Sequence, residues 1–214
     1  MVKWVAARLP NEISGREYDK LLARLPIRRR CRVENYRTQK GAYGVLFAYG
    51  LLRLELERAK LARPVFAYLE SGKPYFPEYP GLHFSLSHSK QFAACALADA
   101  PVGVDAETIR PVKESVWRRY LTDSELTWAG QDSGRLFRVW TLKESYFKLT
   151  GTGLLAPSKS VEFVFAAQGP LVNKEGIFAR SLQRDNEAFA LCAASSDLPV
   201  EPRFVEAEEI LEMA

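Results

Sequence analysis

Histidine is nearly missing from this chain: there are two in 214 residues, both in HFSLSHS at 83–89. Cysteine is scarce as well, with three residues (Cys31, Cys95, Cys192) that are odd in number, far apart and without CxxC spacing. A disulfide framework needs pairs, and a structural zinc site needs closely spaced Cys and His ligands. Both are excluded, and free thiols in a reducing compartment are expected. No run approaches the roughly 20 apolar residues of a membrane span; GVLFAYGLL at 44–52 is the longest. The opening MVKWVAARLPNEIS has neither the apolar region nor the small-residue cleavage site of a secretory signal, so the expected location is the cytoplasm. No GxSxG, P-loop or GxGxxG is present, which removes the serine-hydrolase elbow and the two common glycine-rich phosphate cradles.

What is present begins with charge. The net excess is mild, +4, but it is unevenly placed: Arg28, Arg29, Arg30, Arg32, Arg37 and Lys40 fall close together, broken only by Glu34. Such a run is a solvated basic face or a site for phosphates or an acidic macromolecule, and by itself does not choose between nucleotide, nucleic acid and protein. Without linkers or repeats, 214 residues make one large domain or two small ones. Short strands are expected at 2–9, 82–89, 92–99, 102–107, 161–167, 176–182, 187–194 and 203–207, with long helices at about 36–58 and 135–149. Thr122 reads as a helix N-cap and Gly151 as a helix stop. Strands and helices are grouped rather than alternating, so the expected class is α+β with largely antiparallel sheets. A break near residue 100 divides the chain into 1–101 and 102–214.

Three stretches carry candidate chemistry. On a helical wheel, residues 136–149 place Leu136, Val139, Trp140, Leu142, Tyr146, Phe147 and Leu149 in one arc, with Lys143 inside it. Glu144 and Lys148 sit on the shoulder of that arc, one turn apart. A lysine inside an apolar arc either snorkels to water or meets a buried anion. In GVDAE (103–107) alternation points Asp105 and Glu107 the same way, a spacing at which two carboxylates reach one hard cation such as Mg²⁺. In HFSLSHS it puts Ser85 and Ser87 on one face, with Phe84, Leu86 and His88 on the other.

In order along the chain, HFSLSHS, GVDAE and WTLKESYFKLTGTGL (140–154) resemble the three signatures of the 4′-phosphopantetheinyl transferases of the larger Sfp type. The basic cluster with Arg37-Thr38 and the Gly72-Lys73-Pro74 turn extend the likeness over about residues 26–157. The resemblance implies an enzyme that transfers the 4′-phosphopantetheine arm of coenzyme A to a serine of an apo carrier protein. It implies two similar α+β subdomains with the active site in the cleft between them, the N-terminal one at 1–101 and the C-terminal one at 102–214. By the same resemblance, Asp105, Glu107 and Glu144 match ligands of Mg²⁺, and Lys143 and Lys148 match lysines near the phosphates. Arg37, Lys73, Ser87 and His88 match contacts to the adenine nucleotide, with Arg28 and Arg30 where a further phosphate contact is expected. Glu144, steadied by Lys148, is the expected proton acceptor. Expected partners are coenzyme A and an acidic acyl or peptidyl carrier, without nucleic acid or membrane, for a monomer. The competing expectations are another Mg²⁺-dependent phosphoryl- or pyrophosphate-cleaving enzyme, and a non-catalytic basic binding module.

Overall fold

The computed structural model describes residues 1–61, 64–153 and 157–213. Its first sheet is built on β1 (Val2–Arg8), which pairs antiparallel with β5 (Phe92–Ala98); β5 in turn pairs with β4 (His83–His88). Against it lies α3 (Gln39–Arg58), started where the Thr38 side chain accepts from the Gly41 N–H, and carrying the buried Leu46, Phe47, Leu51 and Leu52. Around these sit α1 (Gly15–Ala23), the basic α2 (Ile27–Val33) and the short hairpin of β2 (Ala67–Tyr68) and β3 (Pro74–Tyr75). The second sheet runs β6 (Val102–Thr108), β10 (Glu187–Ala193), β9 (Phe178–Arg184), all antiparallel. Its long helix is α6 (Ser133–Thr150), capped by Asp132 and ended by Gly151 in the left-handed conformation at φ 75°. Ahead of it come α4 (Glu114–Tyr120) and α5 (Asp123–Ala129), the latter with a Thr122–Glu125 capping box. A hairpin of β7 (Phe163–Ala166) and β8 (Gly169–Val172) follows α6.

The expected α+β class with antiparallel sheets is therefore found, and each half sets one long helix on antiparallel strands. The sheets also bury a face against each other. FAACALA on β5 is buried throughout: Ala93, Cys95 and Leu97 join the core under α3, while Ala94, Ala96 and Ala98 join Val104, Ala106, Phe189 and Leu191 between the sheets. Among the described residues no helix is long and apolar enough to cross a membrane.

One division drawn from the sequence needs correcting. Residues 102–214 were expected to form a single half, yet β11 (Arg203–Val205) returns to pair parallel with β1 at the edge of the first sheet. The terminal α7 (Ala207–Glu212) then packs on α3. The buried Glu55 of α3 gives a physical reason: it draws in Arg203 at 2.5 Å and Lys3 at 3.6 Å, with Arg58 of its own helix at 3.1 Å, tying two remote segments to one carboxylate. A short parallel strand recruited from about 200 residues away, with Val5 set against Arg203, leaves no periodic signal of its own.

The glycine of GVDAE has a separate task. A Cβ at Gly103 would lie 1.8 Å from the Ser145 carbonyl oxygen and 2.5 Å from the Leu149 nitrogen, both backbone atoms of α6. The helix rests directly on the strand, and this seating brings Glu144 and Lys148 beside Asp105 and Glu107. Gly103→Ala is expected to cost about 1–3 kcal/mol by overpacking. It should also lower turnover in whatever fraction folds, because α6 must lift from β6; thermal melts together with kcat check both.

Candidate active site

Between the two halves lies a cleft of about 460 Å³. The first half contributes α3, β4 and the turn at 71–74; the second contributes Asp105 and Glu107 from β6 and Glu144, Phe147 and Lys148 from α6. The Lys148 ammonium donates to Asp105 Oδ1 at 2.6 Å and to Ser87 Oγ at 2.7 Å, while Ser87 donates to the same Asp105 oxygen at 2.8 Å. Asp105 is almost wholly buried, and its Oδ2 has no hydrogen-bond partner among the described residues. A buried carboxylate oxygen left bare is costly, and marks a place for a cation or donor. Burial, with Asp105 next, pushes the Glu144 carboxyl up to about 7, Glu107 adding to the rise and Lys148 opposing it. Glu107 is raised by burial and Asp105, against the Arg110 guanidinium that bonds it at 3.1 Å.

The other wall is cationic and partly apolar. Lys73 reaches across to cap α6, donating to the Leu149 carbonyl at 2.6 Å. Burial pushes its ammonium down to about 8. His88 is held below the ordinary histidine range by burial first and the Lys148 charge second, so it is neutral at pH 7. Its ring lies so close to α3 that a Cβ at Gly44 would approach it to 2.7 Å, which makes that glycine a seat for the imidazole. Arg29 lines the same wall beside Tyr49, whose hydroxyl is pushed up to about 12 by burial with the Arg29 charge acting against the rise. Phe84, Leu86 and Val45 supply the apolar surface.

Seven residues expected from the sequence therefore share one cleft: Lys73, Ser87, His88, Asp105, Glu107, Glu144 and Lys148. Four others do not. Lys143, expected near the phosphates, is buried elsewhere, with its ammonium 2.9 Å from Glu125 Oε2 and donating to the Ser158 and Val161 carbonyls. The buried anion, rather than snorkelling, is what its place in the apolar arc meant. Arg28 stacks on Tyr68 at 4.6 Å, Arg30 pairs with Glu34 at 3.4 Å, and Arg37 is exposed; none lines the cleft. On a helix of 3.6 residues per turn Arg29 shares a face with the buried Val33, whereas Arg28 and Arg30 are rotated about 100° to either side. That i,i+4 relation was the available signal for Arg29. Lys148 also departs from expectation by pairing with Asp105 instead of steadying Glu144. Leu154, the last residue of the third motif, lies outside the described residues.

A divalent metal can be tested against this donor set. Among the described residues no three His, Cys, Asp or Glu side chains stand ready to hold a metal ion, and Asp105 is paired with the Lys148 ammonium. The chemistry still suits a hard cation. Three carboxylates face one cleft, Glu107 and Glu144 are both raised by burial and by Asp105, and Asp105 Oδ2 lacks a partner among the described residues.

The model of the 4′-phosphopantetheinyl transferase superfamily matches residues 101–194, the stretch carrying Asp105, Glu107, Glu144 and Lys148. A 4′-phosphopantetheinyl transferase of Bacillus subtilis is 28% identical over 203 residues, covering 88% of this chain and 91% of that protein. Residues 101–194 thus resemble the 4′-phosphopantetheinyl transferase superfamily, and most of the chain resembles one 4′-phosphopantetheinyl transferase. Other proteins similar to it include the 4′-phosphopantetheinyl transferase Sfp of Bacillus subtilis strain 168, 27% identical over 68% of this chain and 70% of its own length. The 4′-phosphopantetheinyl transferase HetI of Nostoc is 34% identical over 49% of this chain and 48% of its own length. The stretch matched by the superfamily model takes in β6, α6 and β10 and stops before β11 and α7, the elements that return to the first sheet.

Proposed function

We propose that this protein transfers the 4′-phosphopantetheine arm of coenzyme A to a serine hydroxyl of an apo acyl or peptidyl carrier protein, releasing adenosine 3′,5′-bisphosphate. One observation carries the reading: a cationic wall and a carboxylate cluster face each other across one cleft, and Asp105 Oδ2 in that cluster has no hydrogen-bond partner among the described residues. A nucleotide pyrophosphate needs that pairing, with cations and donors for its outer phosphate and a cation bridge for its inner ones.

Lys73, His88 and Arg29 bind and orient the nucleotide, and Phe84 and Leu86 offer its base an apolar surface. Asp105, Glu107 and Glu144 would hold Mg²⁺, which neutralises charge on the pyrophosphate oxygens and so favours attack at phosphorus. Lys148 stands at the same oxygens as a movable counter-charge, exchanging Asp105 for phosphate when substrate enters. The serine oxygen forms a bond to the β-phosphorus while the bond from that phosphorus to the bridging oxygen breaks, and the bisphosphate leaves with the electron pair. The serine proton passes to Glu144, whose raised affinity for protons suits an acceptor working near neutrality. A carrier with an acidic surface fits the outward arginines of α2, and we take the protein to act as a monomer in the cytoplasm.

Incubation with coenzyme A, Mg²⁺ and a set of apo carriers tests the function. A mass gain of one phosphopantetheine on a carrier supports it; cleavage of coenzyme A without an adduct overturns it in favour of hydrolysis. Tight RNA binding without coenzyme A affinity favours a binding module instead. Two expectations accompany the reading. Arg29→Ala should raise the KM for coenzyme A about tenfold, the loss of one charge-assisted contact, whereas Arg28→Ala should change it less than twofold. The Kd of coenzyme A, measured by calorimetry without carrier, should weaken as pH rises through about 8 because Lys73 loses its charge there. In Lys73→Met that weakening should disappear.

A further inference from the structure

β4 and β6 run side by side without a backbone ladder; hydroxyls stitch them at every second residue. The Val104 N–H donates to Ser85 Oγ at 3.0 Å and the Ala106 N–H to Ser87 Oγ at 3.3 Å. Past the end of β4 the series continues with its direction reversed, the Lys90 N–H donating to Thr108 Oγ1 at 3.3 Å. Thr108 donates in turn to Glu187 Oε1 at 2.7 Å, and the two are cross-strand partners on β6 and β10. Glu187 is completely buried, at the end of a face that carries Phe189 and Leu191, where an apolar side chain would extend the layer without cost. Neither Thr108 nor Glu187 lines the cleft. They pin together its two sources: Thr108 follows Glu107, and Lys90 lies two residues beyond His88.

We propose that Thr108 and Glu187 are positioning residues for the transfer reaction, fixing the segment that carries His88 against the strand that carries Asp105 and Glu107. The proposal rests on the function given above. Substrate is gripped from the first half and reacts in the second, so a slip of about 1 Å between them costs up to 100-fold in rate. Nucleotide contacts come mainly from the first half and survive the slip. The signature is a fall in kcat without a matching loss of coenzyme A affinity.

Thr108→Val removes the hydroxyl at nearly constant volume. We expect kcat to fall about tenfold or more, the Kd of coenzyme A to stay within about threefold of wild type, and amide exchange across Ser89–Phe92 to quicken. Thr108→Ser should restore all three, and Glu187→Gln, which keeps the acceptor for Thr108, should keep kcat within about threefold. The proposal is overturned if Thr108→Val retains wild-type kcat, if Thr108→Ser is equally slow, or if Kd rises in step with the fall in kcat. Should Thr108→Val fail to fold, Glu187→Met read in the same assays takes its place. Failure of the wild-type protein to modify any carrier counts against the function alone. Unchanged exchange at Ser89–Phe92 in the variants counts against the positioning pair alone.

Discussion

Glu144→Ala abolishes carrier modification, lowering kcat by about 10³-fold or more, while metal-free coenzyme A binding stays within a few-fold of wild type. The expectation follows from where this carboxylate stands. It faces Asp105 and Glu107 in the cleft, makes no hydrogen bond to the described residues, and holds its proton up to about pH 7 through burial and its two acidic neighbours. Such a group contributes nothing to the fold by bonding; its removal even relieves repulsion, so the melting temperature should hold or rise. Its value lies in holding the cation and in accepting a proton. Glu144→Gln separates these, since an amide keeps one weak oxygen ligand but cannot take the proton. If both variants turn over normally, the metal and base roles are wrong. If calorimetry shows Glu144→Ala losing coenzyme A affinity without metal, the nucleotide wall has been misplaced.

Lys143→Met has the largest expected effect on stability, about 3–5 kcal/mol, because it leaves Glu125 charged and buried without its partner. For a protein of this size that lowers the melting temperature on the order of 10 °C. The pair is fully enclosed and well bonded. Glu125 Oε1 accepts from the Phe163 N–H at 3.0 Å, its Oε2 accepts from the Thr122 N–H at 2.8 Å, and Lys143 reaches two carbonyls besides. These bonds lock α5, α6 and the chain at 158–163 into one block behind the cleft. Glu125→Gln combined with Lys143→Met should recover part of the loss, since no bare charge remains. Below its own melting temperature, Lys143→Met should keep the KM for coenzyme A within about twofold of wild type. A tenfold rise in KM with unchanged stability would return Lys143 to the phosphates.

How far this site could be read from the sequence depended on the element. Alternation in GVDAE put Asp105 and Glu107 on one face, and so they are found, with Ala106 buried between the sheets. The helix of Glu144 and Lys148 was placed correctly and ended at Gly151, though its N-cap, Asp132, was not foreseen. The same periodicity could flag Lys143 as misplaced without naming its partner, because Glu125 comes from another helix and is aimed by its own capping box. The basic cluster was legible as charge but not as direction. Arg29 faces the cleft only because Val33, one turn on, is the residue that α2 buries. Lys148 looked like a partner for Glu144 at i,i+4 spacing, but a buried Asp105 on the adjoining strand competes for it and wins at 2.6 Å.

Residue type and local period by themselves determined the α+β class, the long helices and the three motifs, since capping, alternation and the 3.6-residue turn act within a few neighbours. The tertiary structure decided what those neighbours meet: that α6 rests on Gly103, that β11 crosses back to β1, that hydroxyls rather than a ladder join β4 to β6, and that one lysine is structural while another faces the cleft. Each of these depends on atoms brought together from distant parts of the chain, where burial and the pairing of charge, not sequence spacing, set the outcome.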